Sequence, residues 1–170
     1  RVLVGEAHER LGGFKEAAIA YEAASILMGV DASEALFRLG LVRLNHLKDY
    51  EGAATSFNAF AGKYKSDAKR PDAAFNEGLC YFQNFHADKK EPNLAKAIEL
   101  FSGFAHANSK HKMANAAWYY VGQLEHNREN WAATIKALEP LMKREGNPAF
   151  GQLVFLVADS YHRLNNWEKS

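Results

Sequence analysis

Cysteine is almost absent from this sequence, which contains only Cys80 among its 170 residues. A lone cysteine cannot form a disulfide within the chain, and it fits a reducing and an oxidising compartment equally well. Long apolar runs are absent too, because no run approaches the ~20 residues that a bilayer-spanning helix needs. The sequence therefore predicts no internal disulfide and no direct insertion into a membrane.

An excess of charge of one sign is also missing. Lysine and arginine together number 21 and aspartate and glutamate 20, which leaves a formal net charge of +1 at pH 7. Such a chain has no overall field that would attract nucleic acid phosphates or anionic lipids. We therefore expect neither of these polyanions to be a main partner.

Recognisable catalytic patterns are missing as well. The sequence has no glycine-rich phosphate loop, no pair of carboxylates typical of a catalytic cleft and no nucleophile constellation. Its seven histidines include no pair spaced four residues apart on one predicted helix, so a metal site with converging ligands is not indicated. Cys80 lies in the apolar stretch 78–82, where a small packing role is expected. We predict no catalytic residue, no metal site and no cofactor.

The sequence does contain a spaced repeat, in which an aromatic or large apolar residue is followed three positions later by a small one. The pairs are Phe14 and Ala17, Tyr50 and Ala53, Leu94 and Ala97, Trp131 and Thr134, and Trp167 and Ser170. The steps between successive pairs are 36, 44, 37 and 36 residues. Further residues four and seven positions after the first four small ones extend one helical face, and a second apolar stripe precedes each large residue. Each repeat is therefore predicted to be a pair of amphipathic helices.

Small residues at helix crossings let the backbones approach, while the aromatic residues fill the space between pairs. A single pair cannot bury its outer stripe, so a row of stacked pairs is expected. We predict helices near 1–11, 14–28, 34–47, 50–65, 71–86, 92–106, 112–128, 131–144 and 148–164.

Helix-breaking and capping residues support these boundaries. Pro71, Pro92 and Pro148 fall in first turns, where a missing amide hydrogen is tolerated. Asp31 with Glu34 resembles an acidic capping box at the start of the third helix. Pro140 lies inside the eighth helix and predicts a kink or an early end there.

The pattern resembles the tetratricopeptide repeat family, whose units run for about 34 residues with glycine, alanine and aromatic residues at set positions. The units that match best are Phe37, Tyr50, Ala53, Phe57 and Phe60, and Trp118, Val121, Gly122, Trp131 and Leu138. Here the units are longer, Gly40 and Gly78 come one position early, and Thr134 replaces alanine. The resemblance implies an all-α, right-handed solenoid of antiparallel helix pairs, which would form one domain over residues 1–170 with about four and a half pairs.

The same resemblance implies a binding groove, because the first helix of each pair lines the concave face in this family. The outward positions of these helices are Arg38, Val42, Asn45 and His46; Asn76, Cys80, Gln83 and Asn84; Tyr119, Gln123, His126 and Asn127; and Phe155, Asp159, His162 and Arg163. Amides both donate and accept hydrogen bonds, as an extended peptide backbone requires, and Tyr119 and Phe155 could contact apolar side chains. The lysine and asparagine clamp of members that bind chaperone tails is missing, since Val42 and Cys80 stand where asparagine is needed.

Two classes of function stay open at this point. The first is a protein-interaction scaffold whose concave groove binds an extended segment of a partner protein. The second is a structural or self-assembly module that acts through its ends and convex face, including self-association through exposed terminal helices. The long units resemble those of bacterial cell-envelope members of the family, which favours the periplasm or envelope over the cytoplasm. We also expect the chain to be a fragment of a longer array, because the last pair stops where its second helix should begin.

Overall fold

The computed structural model describes residues 1–27, 30–142 and 150–167, and all regular secondary structure in these ranges is helical. The helices are α1 (Val2–Arg10), α2 (Phe14–Ser25), α3 (Val30–Val42), α4 (Tyr50–Lys63), α5 (Arg70–Asp88), α6 (Glu91–Ala107), α7 (Ala114–Asn127), α8 (Trp131–Met142) and α9 (Phe150–Trp167). A π-helical turn, Arg43–Leu47, continues α3. No strand occurs among the described residues, and the predicted all-α fold is confirmed.

The chain forms two compact units, Arg1–Asn93 and Leu94–Ser170. In the first unit, each helix from α1 to α5 packs against the next one along the chain. In the second unit, α7 packs against α8 and α8 against α9. There α6 meets α7 through the rings of Phe101 and Tyr120, whose centroids lie 4.8 Å apart. Each helix thus buries its apolar stripe against a neighbouring helix, as the repeat predicts.

Large side chains lie directly on glycines of the facing helix in three helix pairs. These contacts are Tyr21 on Gly5, Phe57 on Gly40 and Leu138 on Gly122. A Cβ atom at Gly40 would lie 2.7 Å from the Phe57 ring, so no larger residue fits there without movement. The Phe57 side chain is fully buried, which means that the surrounding core resists such movement. The small residues that the repeat places at helix crossings therefore do allow close approach.

The early position of Gly40 is explained by the π-helical turn. Gly40 precedes the small residue Ala53 by 13 positions, whereas the corresponding spacing in the first and fourth pairs is 12. A π-turn contains one residue more than an α-turn, so Arg43–Leu47 takes up the additional residue. Lys48 then adopts a left-handed conformation with φ 54° and ends the helix. The contact between Phe57 and Gly40 is preserved despite the shift in sequence.

The start of α3 differs from the prediction. This helix begins at Val30, so Asp31 lies within its first turn and is not the N-cap. The Glu34 carboxylate instead bonds to the side chains of Arg38 and Lys69. The predicted acidic capping box is therefore wrong, because charge-assisted bonds to two cations occupy the glutamate that the box requires.

The remaining boundaries agree with the predictions within a few residues. The long 44-residue step is accommodated by α5, which extends to Asp88 and leaves a short turn before α6. Pro71 and Pro92 occupy the second positions of α5 and α6, which confirms their predicted place in first turns. Pro140 lies inside α8, which is described as far as Met142, while Pro148 lies outside the described residues. The predicted effect of Pro140 on the course of the helix stays a prediction.

Gly40 and Gly103 offer a matched pair of alanine substitutions. Gly40→Ala should destabilise the chain by about 1–3 kcal/mol, because the added methyl group overlaps the buried Phe57 ring. Gly103→Ala should stabilise it by about 0.5–1 kcal/mol, since alanine is the better helix former and a Cβ atom there meets nothing within 4 Å. Urea unfolding monitored by far-ultraviolet circular dichroism measures both changes. A Gly40→Ala variant as stable as the parent would show that Phe57 can move aside.

Phe57 itself should dominate the stability of the first unit. Phe57→Ala should cost about 3–5 kcal/mol, because it removes buried apolar surface and leaves a cavity. Ile19→Ala is the control, because Ile19 is 68% exposed and its truncation should change stability by no more than about 0.5 kcal/mol. The same urea unfolding experiment compares the two variants. Equal effects would contradict the assignment of the buried helical face.

Candidate functional site

Arg38, the first residue of the predicted groove, is held by three carboxylates. Its Nη2 atom lies 3.1 Å from Glu6 Oε1, its Nη1 atom 3.3 Å from Glu9 Oε2, and its Nε atom 2.6 Å from Glu34 Oε1. Glu6 and Glu9 belong to α1, so the guanidinium ties α3 to α1. Each nitrogen of Arg38 already has an acidic partner, which leaves little capacity for a ligand.

Val42 and Cys80 are fully buried, so the prediction that they are exposed on the groove is wrong for both. Val42 belongs to the core around α2, and Cys80 belongs to the core around α4. Burial, assisted by the negative charges of Glu77 and Asp49, raises the pKa of the Cys80 thiol to about 12. A thiol with this pKa does not form the thiolate that nucleophilic chemistry needs near neutral pH. The predicted packing role of Cys80 is confirmed.

The other predicted residues of the first unit do not form a bonded cluster. They are half-buried on α5 (Asn76, Gln83 and Asn84) or exposed on the π-helical turn (Asn45 and His46). The His46 ring stacks on Phe14 with ring centroids 3.7 Å apart. Among the described residues, no hydrogen bond joins one of the four amides to another. The predicted groove residues of the first unit are therefore separate polar groups.

The second unit does bring predicted residues together, starting with Tyr119 and Gln123 of α7. Gln123 Nε2 donates a hydrogen bond to Tyr119 Oη at 2.9 Å. Tyr119 Oη in turn donates to Gln152 Oε1 of α9 at 2.5 Å. Partial burial, with the neighbouring Tyr120 contributing, raises the pKa of Tyr119, so its hydroxyl stays protonated and able to donate. These bonds fix two side chains of α7 against α9.

A second set of bonds joins the same two helices near their other ends. His126 Nε2 donates to Asp159 Oδ2 at 2.9 Å, and Arg163 Nε lies 3.5 Å from Asp159 Oδ1. The bond from His126 and the nearby Arg163 lower the pKa of Asp159. The His126 ring also meets Trp131 edge-on, with centroids 5.0 Å apart, and the Arg163 guanidinium lies 5.6 Å from the centre of the Trp131 ring.

We call the surface that these groups share the α7–α9 face, formed by Tyr119, Gln123, His126, Phe155 and Asp159. Phe155 lies one helical turn before Asp159, and 66% of it is exposed. Two further predicted residues, Asn127 and His162, are exposed at the same ends of the two helices. The α7–α9 face thus combines a bonded polar layer with an exposed aromatic ring.

Sequence reasoning missed Gln152, Trp131 and the acidic residues of α1 that hold Arg38. Gln152 could have been found, because it lies three residues before Phe155 and therefore on the same side of α9. Trp131 was assigned only to the repeat, and its contacts with His126 and Arg163 depend on how α8 lies beside α7 and α9. The pairing of Arg38 with Glu6 and Glu9 joins residues about 30 positions apart, which helical periodicity does not reveal.

Neither a metal centre nor a spanning helix is found in the part of the chain that the structure describes. No group of three or more histidine, cysteine, aspartate or glutamate side chains among those residues is placed to hold a metal ion. None of the described helices is both long enough and apolar enough to cross a membrane.

The bond between His126 and Asp159 can be tested by titration. The pKa of Asp159 is lower in the folded chain than the value of about 3.9 expected for the unfolded chain. The pairing therefore stabilises the fold above this pH, and the stabilisation is lost as the pH falls through the lower folded pKa. His126→Ala should raise the pKa of Asp159 towards its ordinary value, as measured by carbon-13 NMR of the side-chain carboxyl group. His8→Ala in the first unit is the control and should leave it unchanged. An unchanged pKa in the His126 variant would contradict the bond.

Comparison with known proteins agrees with this architecture. Residues 34–66 match the family model described as tetratricopeptide repeat. The chain is also similar to the crystal structure of MamA, with a TM-score of 0.70 and 19% sequence identity over 95% of this chain and 85% of that chain. No curated protein matches the sequence, and the placement in the cell envelope stays a prediction. Together, these comparisons show a tetratricopeptide repeat at residues 34–66 and a fold of helix pairs like that of MamA.

Proposed function

We propose that this protein is a non-catalytic interaction scaffold that binds an extended segment of a partner protein on the α7–α9 face. The observation that carries the proposal is the bonded layer of Tyr119, Gln123, His126 and Asp159 beside the exposed ring of Phe155. Tetratricopeptide repeat proteins generally serve as scaffolds for protein–protein interaction, which supports the same class of function.

The chemistry of this face suits a peptide backbone. Gln123 and Tyr119 each retain hydrogen-bonding capacity beyond the bonds they already make, because an amide and a hydroxyl both donate and accept. Cross-helix bonds hold these side chains in place before a partner arrives, so less side-chain entropy is lost on binding. Phe155 offers an exposed aromatic surface to an apolar side chain of the partner, as aromatic anchors of interfaces do.

Residues of the first unit are proposed to offer contacts of their own, apart from the α7–α9 face. The amides Asn45, Asn76, Gln83 and Asn84 offer the same backbone-matching chemistry on α5 and the π-helical turn. Arg38 contributes by positioning α1 against α3, because its nitrogens are already paired with acidic groups. A partner held mainly by neutral hydrogen bonds should be only modestly sensitive to salt.

A second candidate function is favoured by exposed apolar residues on the outer helices of the chain. Leu3 and Leu11 in and after α1 are 77% and 84% exposed, and Ile19 of α2 is 68% exposed. On α9, Val154 and Tyr161 are 37% and 44% exposed. Exposed large apolar side chains are candidates for contact sites. It supports a structural or self-assembly module that associates through its terminal helices.

Phe155→Ala should separate the two candidates. If the α7–α9 face binds the partner, this substitution should weaken binding by roughly 30-fold, because an exposed aromatic anchor contributes about 2 kcal/mol. Its thermal melting should stay close to that of the parent, since Phe155 is largely exposed. The measurement is calorimetry with a partner recovered by affinity capture on the intact chain and identified by mass spectrometry.

Leu3→Ala provides the matched control, because Leu3 is a similarly exposed apolar residue at the other end of the chain. It should leave the affinity unchanged if the proposal holds. Loss of affinity in the Leu3 variant alone would move the function to the terminal helices. Equal affinity of the parent and the Phe155 variant would rule out the α7–α9 face.

A further inference from the structure

The second unit contains a groove that none of the predicted binding residues lines. It lies between α6 and α8, has α7 as its floor and encloses about 530 Å³. The floor comes from the stripe of α7 that includes Trp118, Val121 and Glu125. The α7–α9 face uses a different stripe of the same helix, displaced by one residue, so the two surfaces are separate.

The walls of this α6–α8 groove are mostly apolar. Ile98 of α6 faces Ala133 and Ala137 of α8, whose small side chains leave the space open. Trp118 is only half-buried, and the His106 ring meets it edge-on with centroids 4.9 Å apart. A half-exposed tryptophan in an apolar concave surface is typical of a position that receives a large apolar side chain.

Pro140 changes the backbone hydrogen bonding beside this groove. Proline has no amide hydrogen, so it cannot donate the regular helical bond to the carbonyl of Lys136 four residues earlier. Both Pro140 and Lys136 line the groove. A backbone carbonyl that lacks its regular donor favours a ligand that brings an N–H group, as a peptide does.

The charges around the groove favour an acidic ligand. Glu125 is buried and accepts two hydrogen bonds from Arg128, at 2.7 and 3.1 Å, so its charge is already balanced. Lys136 is exposed and forms no ion pair with any described residue. The uncompensated charge at the rim is therefore positive, which complements a carboxylate.

From these observations we propose that the α6–α8 groove binds a short acidic–apolar peptide segment of a partner protein. A large apolar side chain of the segment packs on Trp118 between α6 and α8. A neighbouring peptide N–H donates to the carbonyl of Lys136, and an aspartate or glutamate of the segment pairs with Lys136 Nζ. This site goes beyond the proposed function, because it gives the second unit a further and independent contact for a partner.

The test uses the whole chain labelled with nitrogen-15 and a defined probe, the peptide acetyl-Gly-Asp-Phe-Leu-Asp-Gly-amide. Titration to about 1 mM covers the weak affinities expected of so short a segment. We expect saturable NMR shifts of the Trp118 indole and of the Ala133 and Ala137 amides, with no change at Phe155. A peptide with lysine in place of both aspartates should bind less tightly, and one with serine in place of phenylalanine and leucine should not bind.

Substitutions in α8 provide matched controls. Ala133→Leu should abolish the shifts by filling the groove, whereas Ala132→Leu on the exposed neighbouring position should not. Lys136→Glu should weaken binding about three- to tenfold at low salt, whereas Lys15→Glu, the same charge change in the first unit, should have no effect. Thermal melting establishes that each variant is folded.

Four results would overturn the proposal. The first is the absence of saturable shifts at Trp118. The second is unchanged affinity in a folded Ala133→Leu variant. The third is equal affinity for the acidic peptide and its lysine counterpart, which would indicate a purely apolar ligand instead of an acidic segment. Shifts confined to the α7–α9 face would overturn it as well, while supporting the function proposed above.

Discussion

Three helix pairs of this protein close where a large side chain lies against a facing glycine, which has no Cβ atom. Phe57 on Gly40 and Leu138 on Gly122 are examples, and both large side chains are fully buried. Because close-packed interiors tolerate little displacement, such a contact fixes how far along each other the two helices lie. The other surfaces of α7 follow from this contact: with Gly122 against α8, one neighbouring stripe meets α9 and the other forms the floor of the α6–α8 groove.

The two units use different chemistry to hold the first helices of successive pairs together. In the first unit, Arg38 joins α3 to α1 through carboxylates, so the charges are satisfied internally. In the second unit, Tyr119 and His126 join α7 to α9 through a phenol and an imidazole. The Tyr119 hydroxyl and the Gln123 amide keep hydrogen-bonding capacity beyond the bonds they make, whereas Arg38, with a carboxylate at each nitrogen, has little left. This difference is the reason that the proposed site lies on the second unit.

Periodicity predicted the fold well because it reports directly on burial. The recurring large and small residues placed the helices within a few residues of their observed ends. The packing role of Cys80 followed from its apolar neighbours, although its place in the predicted groove had implied exposure. Two predictions failed for reasons that local sequence does not contain. Val42 was expected to be exposed but packs in the core around α2, and Glu34 was expected to cap a helix but bonds to Arg38 and Lys69.

Residue spacing alone specifies the all-α class, the pairing of helices and the residues available for the α7–α9 face, because spacing along a helix decides which side chains share a side. Which of those residues act together depends on how the helices pack. Arg38 turned out to be committed to α1, His126 to be bonded to Asp159, and α6 and α8 to leave a groove beside Trp118. These outcomes depend on the distances between helices, and helical periodicity contains no information about the partner that lies opposite.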